Sequence, residues 1–374
     1  MRTALSLTLG FMLVSQAYAE PASITVRVNE PGPKISPMLW GIFFEDINLS
    51  ADGGIYPEQV RNRNFEDSDQ ADHWTVVSSG RAKVELGVDR EKPVSPKNPR
   101  SLKVAIAGPG NGRAGVANGG FYGMGVVKGD SYALSFDARG DGGFAGPLTV
   151  TLESTDGFVY AQEKFSDLTP EWRKFTATLT ATLTDPKARL VVSADQPGTF
   201  WLDMVSLMPK KTWKGHGLRP DLMEMLVGLQ PAFNRFPGGC WVEGDTMKEA
   251  YRWKQTIGDP SERRTQHNIW GYEATHGVGY HEYLVMCEDL GCEPLFVINC
   301  GMSHKENVPL DKMDEFVQDA LDAIEYANGP ADSRWGAVRA KAGHPAPFHL
   351  KYIEIGNENG GPAYHERWPL FVQA

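Results

Sequence analysis

The sequence predicts a mixed α/β and all-β protein, in which an antiparallel β-sandwich interrupts a series of parallel β/α units. Between residues 67 and 209, short alternating strands are separated by Gly, Pro, Asn and Asp without a helical period, which is typical of a sandwich. From residue 210, apolar strands alternate with amphipathic helices, which favours a parallel sheet covered by helices. Four such strands predict a partial (β/α)8 TIM barrel.

Residues 1–19 have the pattern of a cleavable signal peptide. Arg2 precedes an apolar stretch, and Ala17 and Ala19 supply the small residues of a cleavage site after Ala19. The alternative is a membrane anchor, but a spanning helix needs about 20 apolar residues and this stretch is shorter. We therefore expect a secreted or periplasmic protein that is not held at a membrane after cleavage.

Charge and cysteine content limit the classes of partner. The formal net charge of −10 disfavours nucleic acid and other polyanions, so a neutral polymer is the better expectation. The four cysteines are even in number, as disulfides require, but their spacing decides nothing: Cys240, Cys287, Cys292 and Cys300. Nearby histidines lack the spacing of metal ligands, so no metal is expected.

Two strands are predicted in residues 20–66, ahead of the sandwich at 67–209 and the half barrel at 210–374. Apolar residues alternate at 24, 26 and 28, and a denser apolar stretch leads to Glu45. This stretch and the segments "FNRFPGG", "FVINCG" and "YIEIGNE" form the four predicted parallel strands. Each ends in glycine, polar or acidic residues, and barrel active sites lie at these strand ends. An open doubly wound sheet is the alternative, although no nucleotide-binding glycine fingerprint follows the first strand.

Three helices are predicted between these strands. Apolar spacing indicates one over 222–229, a second in "YHEYLVMCEDLG", and a third over 313–327 with Asp311 as its N-cap.

Asn357 and Glu358, at the end of the fourth strand, have the groups needed to cleave a glycosidic bond. Glu358 can protonate the leaving oxygen, and Asn357 can bind a sugar hydroxyl. Adjacent strand residues point to opposite faces, so the two converge only where the strand becomes a loop. The structural alternatives are that Glu358 caps the next helix or pairs with Arg367. Glu354 is expected to be an ion-pair member.

Other strand ends could complete a sugar site. Glu45 could accept hydrogen bonds from hydroxyls, or pair with Arg235. Gly238 and Gly239 would allow close approach of a ligand, or form only a tight turn. Trp270 could stack on a sugar face.

Further aromatic and imidazole side chains lie in the same region. Trp241 is a second stacking candidate. Each of the nearby histidines is expected to be structural: His267, His276, His281 and His304.

Four motifs together resemble the α-L-arabinofuranosidases of glycoside hydrolase family 51. They are "GIFFEDINLSADGGIYPEQVRNRNFE", "FNRFPGGCWVEG", "YRWKQTIGDPSERRTQHNIWGYEATHGVGYHEYLVMCEDLG" and "YIEIGNEN". The resemblance spans roughly residues 23–66 and 210–368. The region between them resembles the carbohydrate-binding-module-like β-sandwich inserted in some members.

The resemblance implies a retaining, exo-acting enzyme of L-arabinose catabolism. It would remove terminal α-L-arabinofuranosyl residues from arabinoxylan or arabinan of plant cell walls, without a cofactor. Members often oligomerise, so a homo-oligomer is an open expectation.

The resemblance also implies roles for individual residues. Glu358 matches the acid/base, Asn357 the residue that contacts the 2-hydroxyl, and Glu45 a substrate-binding glutamate. Three further residues lie in motifs that line the sugar pocket: Gly239, Cys240 and Trp270. The family's nucleophile, a glutamate near the end of the seventh strand, is expected beyond Ala374. The chain is therefore expected to be truncated within the barrel and inactive by itself.

Two other classes of function stay open. A related retaining β-xylosidase or endoglucanase would use the same carboxylate chemistry. A non-catalytic carbohydrate-binding protein would instead use exposed sandwich aromatics, for which the candidates are Trp74, Phe121, Tyr122, Phe158 and Tyr160.

Overall fold

The computed structural model describes residues 22–108 and 112–374, so the predicted signal peptide lies outside the described residues. The described residues divide into two units, 22–37 and 38–374. In the first unit, residues 22–37 contain turns but neither helix nor strand, and Ile24, Val26 and Val28 are exposed. The strand predicted here is wrong. Within the described part of the chain, this segment pairs with no strand.

The second unit contains parallel and antiparallel strands. In chain order, the strands of the described residues are β1 Ile42–Phe43, β2 Trp74–Ser78, β3 Lys83–Asp89, β4 Ser101–Ala107, β5 Ala114–Asn118, β6 Met124–Val126, β7 Ser131–Gly140, β8 Leu148–Glu153, β9 Val159–Phe165, β10 Arg173–Thr180, β11 Asp185–Ala194, β12 Gly198–Pro209, β13 Phe233–Phe236, β14 Gln266–Asn268, β15 Tyr272–Ala274, β16 Glu293–Ile298 and β17 Tyr352–Ile355.

The α-helices of the described residues all follow β12. They are α1 Pro220–Gly228, α2 Cys240–Glu243, α3 Tyr280–Leu290, α4 Asp314–Asn328, α5 Arg334–Lys341 and α6 Gly361–Gln373. Short 3-10 helices occupy Trp213–Gly215, Trp253–Gln255, Pro260–Glu262 and Leu310–Lys312. None of the helices in the described ranges has the length and apolar character needed to cross a membrane.

The three predicted helices form, with two corrections. Asp311 is not an N-cap, because it lies in a 3-10 turn and α4 begins at Asp314 after Met313. In α1 the buried residue is Met223, whereas Met225 and Leu229 of the predicted apolar stripe are exposed.

Strands β2 to β12 form the predicted antiparallel sandwich. One sheet has the order β10-β7-β12-β4-β3, the other has the order β2-β5-β11-β8-β9, and β6 pairs with β11. Their inner faces share one apolar core, in which the buried Phe136 ring lies 5.0 Å from Phe165 and 5.4 Å from Phe175. Trp74 and Tyr160 are also buried in this core, so they are not exposed sugar platforms. Tyr122 and Phe158 are exposed, and Phe121 is half-buried.

Four parallel strands, in the order β1-β13-β16-β17, form a separate sheet. The connections contain α1 before β13, α3 before β16, and α4 and α5 before β17. In β13, alternation sends the Phe236 ring toward α3, where it stacks on Tyr283 at 4.9 Å. Arg235 points to the opposite face, and its guanidinium lies 4.9 Å from the ring centre of Phe43. One face of the sheet is therefore an apolar, helix-covered core, and the other carries polar groups.

We expect Phe236→Ala to lower the free energy of unfolding by about 3–5 kcal/mol, because it removes a fully buried ring from between three aromatic neighbours. The matched control is Phe158→Ala on the exposed sandwich surface, which should change stability by less than about 0.5 kcal/mol. Urea unfolding measures both. Equal losses would contradict the assignment of Phe236 to the core.

Candidate active site

The carboxyl ends of the four parallel strands meet at one edge of the sheet. Glu45 follows β1, the segment Gly238–Cys240 follows β13, Cys300 follows β16, and the segment Asn357–Glu358 follows β17. Parallel strands place all these residues on the same side, which is where ligand sites form in β/α folds.

Arg235, on β13, forms hydrogen bonds to β17 and to the segment that follows it. Arg235 donates two hydrogen bonds to Glu354 on β17, at 2.7 and 2.6 Å, and a third to Oδ1 of Asn357 at 2.9 Å. The bonds to Glu354, together with the charges of Glu354, Glu45 and Glu358, raise the pKa of Arg235. Glu354 is therefore the ion-pair member that was predicted, and its partner is Arg235.

Sequence reasoning missed Glu243, which holds the other end of Asn357. The buried Glu243 carboxylate accepts hydrogen bonds from Nδ2 of Asn357 at 2.7 Å and Nδ2 of Asn359 at 2.8 Å. The only sequence signal for Glu243 is its position three residues after Cys240, which follows a predicted strand. In a single helical turn this spacing places both side chains on one side.

Glu45 contacts the loop that follows β13. Its Oε1 accepts hydrogen bonds from the Trp241 backbone N–H at 3.0 Å and from the Trp270 indole at 3.2 Å. A Cβ on Gly238 would lie 2.7 Å from Cγ of Glu45, and the φ of this glycine is +146°. Glycine is required here for close packing against Glu45. The Glu45–Arg235 ion pair offered as an alternative is absent from the described contacts.

The same loop brings Glu45 close to Asn357. A Cβ on Gly239 would lie 3.2 Å from Oε2 of Glu45 and 3.5 Å from Oδ1 of Asn357. Both side chains thus face one small space above Gly239.

Glu358 lies where the chain has left the β17 pleat. Gly356 has φ +77° and Glu358 has φ +47°, so Asn357 is buried while Glu358 is exposed. Glu358 lines a cleft of about 340 Å³ with Glu354, Asn359 and Tyr364. A non-glycine residue in the left-handed region is uncommon, and such strain often accompanies functional sites.

Neither structural alternative for Glu358 is present. Helix α6 has Gly360 as its N-cap and no side-chain capping bond. Arg367 donates instead to the carbonyls of Ala363 and Val308.

Cys240 is a half-buried thiol among carboxylates. Burial, followed by the charges of Glu45, Glu243 and Glu358, raises its pKa. All four cysteines are free thiols, so the disulfide left open by the sequence does not form in this structure.

The other aromatic and histidine candidates differ in their burial and in their contacts with the site. Trp270 is 44% exposed beside Glu45, whereas Trp241 is buried in the apolar core and cannot be a stacking platform. His276 is buried, which lowers its pKa to about 4 and keeps it neutral. His267 contacts Glu273, and His281 contacts Tyr326. Only His304 reaches the site, with Nε2 3.5 Å from Oε2 of Glu243.

Asp46, the residue after Glu45, is a buried acid beside the candidate site. Asp46 is buried and accepts hydrogen bonds from the Ala51 N–H at 3.1 Å and the Tyr272 hydroxyl at 2.9 Å. Burial, with the nearby charge of Asp52, raises the pKa of Asp46 from 3.8 to about 7. At lower pH this carboxyl is neutral, and it then adds no second negative charge beside Glu45.

We expect Asp46→Asn to remove a pH dependence of stability. Between pH 4 and 7 the folded protein keeps a proton on Asp46 that the unfolded chain releases, so stability falls as pH rises across this window. Relative to the variant, the wild-type unfolding free energy should fall by up to about 4 kcal/mol. Urea unfolding at several pH values measures this. Exposed Asp311→Asn is the control, and parallel profiles for wild type and Asp46→Asn would contradict the buried neutral acid.

The geometry can be compared with known proteins. Residues 225–374 match the family model described as the α-L-arabinofuranosidase 1 domain, and residues 57–198 match a carbohydrate binding domain. The chain is 40% identical over 370 residues to α-L-arabinofuranosidase 1 of Arabidopsis thaliana, covering 94% of this chain and 54% of that protein. It is 38% identical over 405 residues to the extracellular exo-α-L-arabinofuranosidase of Streptomyces chartreusis, covering 100% of this chain and 47% of that protein.

A solved structure agrees with these relatives. An arabinose-bound family 51 α-L-arabinofuranosidase superposes with a TM-score of 0.85 at 34% identity, over 92% of this chain and 58% of that one. The chain spans about half the length of the curated relatives it matches. Along the part that it spans, the chain belongs to the α-L-arabinofuranosidases of glycoside hydrolase family 51.

Proposed function

We propose that the protein that carries this chain is a secreted, retaining, exo-acting α-L-arabinofuranosidase. Its substrates are terminal α-L-arabinofuranosyl residues of arabinoxylan- or arabinan-type polysaccharides. The observation that carries this proposal is the placement of Asn357 and Glu358 at one strand end, with Asn357 held between Arg235 and Glu243 and facing Glu45. The parallel sheet is proposed to be the first half of a (β/α)8 barrel.

Two carboxylates line the open cleft beyond β17, and Glu358 is proposed as the acid/base because the other, Glu354, is bonded to Arg235. As an acid it gives its proton to the glycosidic oxygen when the bond to the sugar breaks. As a base it then removes a proton from the water that releases the sugar from the enzyme.

Asn357 and Glu45 are proposed to bind the sugar hydroxyls. The Asn357 amide uses Oδ1 to accept from Arg235 and Nδ2 to donate to Glu243, which fixes its orientation. One N–H and one lone pair then remain for a hydroxyl. The exposed face of Trp270 is proposed to pack against the sugar ring, and Gly239 and Cys240 to line the pocket floor.

A retaining mechanism requires a second carboxylate about 5–5.5 Å from the acid, acting as nucleophile. Glu45 and Glu354 already accept hydrogen bonds from Trp241 and Arg235, respectively, which suits binding and structure better than attack. The nucleophile is therefore proposed to come from the part of the family fold that this chain does not span.

Secretion is proposed from the signal-peptide pattern at residues 1–19, and a relative from Streptomyces chartreusis carries the description extracellular. The sandwich is proposed to bind the polysaccharide, because residues 57–198 match a carbohydrate binding domain. Tyr122 is the favoured contact, since it is exposed and lines a cleft of about 520 Å³.

In the full gene product, we expect Glu358→Gln to lower kcat/KM, which reports the step in which the glycosidic bond breaks, by about 10²–10⁴-fold on arabinoxylan oligosaccharides, because their leaving oxygen needs a proton. The loss on 4-nitrophenyl α-L-arabinofuranoside should be smaller, since nitrophenolate leaves without protonation. Glu366→Gln, exposed on α6, is the matched control and should keep full activity. Equal losses on both substrates would contradict an acid role, and preferred hydrolysis of a β-xyloside would favour the related glycosidase.

For the sandwich, we expect migration of the protein through an arabinoxylan gel to be retarded. Tyr122→Ala should weaken the apparent affinity by roughly 2- to 10-fold, the range for loss of one aromatic contact. Phe158→Ala is the matched exposed aromatic outside the cleft. Unretarded wild-type protein would remove the binding role of the sandwich without affecting the catalytic proposal.

A further inference from the structure

We propose that Cys240, Glu243 and His304 form a zinc-binding site at the edge of the candidate active site. The spacing of the histidines in the sequence gave no reason to expect a metal here. Folding brings Cys240 and Glu243, which follow β13, next to His304, which follows β16. Zinc binding by these residues does not depend on the proposed glycosidase activity.

The three side chains offer one sulfur, one oxygen and one nitrogen, and these atoms all lie within 4.8 Å of one another. This donor set suits zinc, which binds cysteine, histidine and carboxylate together in tetrahedral sites. Bond lengths of about 2.0–2.3 Å place tetrahedral donors about 3.3–3.6 Å apart. His304 Nε2 and Glu243 Oε2 are already 3.5 Å apart. A small side-chain movement would therefore complete the site.

The backbone holds the two halves of this cluster together. Cys240 and Glu243 are the first and last residues of α2, so they project from the same side of a single turn. The His304 N–H donates to the Gly244 carbonyl at 3.0 Å, and the Lys305 N–H donates to the Asp245 carbonyl at 3.0 Å. The histidine loop is thus tied directly to the residues that follow Glu243, which reduces the entropy lost on binding a metal.

A second set of residues orients two of the proposed ligands. Asn357 and Asn359 donate to the two oxygens of Glu243 at 2.7 and 2.8 Å. On the far side of the imidazole, Oδ1 of Asp245 lies 3.8 Å from Nδ1 of His304, so Nε2 points toward Glu243. Amides hydrogen-bonded to a ligating carboxylate are typical supports of metal ligands. The Asp245 carboxylate lies near the imidazole but beyond hydrogen-bond distance.

Three protein ligands leave the fourth zinc position open to water. When the sulfur–zinc bond forms, the Cys240 thiol releases its proton to solvent. The competing explanation is that Glu243 and His304 form only an ion pair and that Cys240 merely packs beside it. That arrangement would give no sulfur–metal bond, so sulfur ligation distinguishes the two.

The test uses Co²⁺ as a spectroscopic substitute for Zn²⁺ on the purified protein. We expect a thiolate-to-cobalt charge-transfer band that saturates at one equivalent and disappears when Zn²⁺ is added. Calorimetric titration with Zn²⁺ should give the same stoichiometry. In Cys240→Ser the band should be lost, and in His304→Ala the Zn²⁺ affinity should fall by at least about 10-fold.

Two control variants separate this site from other thiols and imidazoles. Cys292→Ser removes a thiol outside the cluster, and His216→Ala removes a half-exposed histidine bonded to Asp289. Both should bind Co²⁺ as the wild type does. His304 is exposed, so its variant is expected to fold even if Cys240→Ser does not. A missing band in the wild type, or one that persists in folded Cys240→Ser or His304→Ala with unchanged affinity, would overturn the proposal.

Discussion

The candidate site depends on the guanidinium of Arg235, which reaches across the sheet from β13 to β17. Its paired hydrogen bonds to Glu354 fix the relative position of two strands that are not neighbours. The third bond, to Asn357, together with the bond from Asn357 to Glu243, leaves the amide only one satisfied orientation. A flexible strand end therefore becomes a rigid one, as a binding site requires.

Backbone conformation then separates the two adjacent residues. Asn357 is hydrogen-bonded to Arg235 and Glu243. The left-handed conformations of Gly356 and Glu358 turn the Glu358 carboxylate toward the cleft. In a regular strand the two side chains would point to opposite faces, and they could not share a ligand. The strain at Glu358 is offset by the bonds that hold its neighbours, including the Asn357 N–H to Asn359 Oδ1 bond at 3.0 Å.

The sequence predicted the secondary structure best where burial of one face gives the apolar residues a regular spacing. The four parallel strands and the sandwich follow from apolar patterns, since each strand has a face that must be buried. The apolar alternation at residues 24–28 failed because alternation alone does not supply a partner strand. β5 was missed because its small residues, Ala-Gly-Val-Ala-Asn, lack the bulky pattern of a strand although all are buried. Glu243 was missed because its role exists only through contacts with Asn357 and Asn359, which lie far away in the sequence.

The central claim is that Glu358 faces the bond to be cleaved while Asn357 and Glu45 hold the sugar. A crystal structure of the full gene product carrying Glu358→Gln, with an arabinofuranosyl oligosaccharide bound, would test it most directly. We expect the glycosidic oxygen within about 3.2 Å of the residue 358 side chain. We also expect ring hydroxyls bonded to Asn357 and Glu45. A sugar bound at this edge with its glycosidic oxygen turned away from position 358, or bound elsewhere, would contradict it.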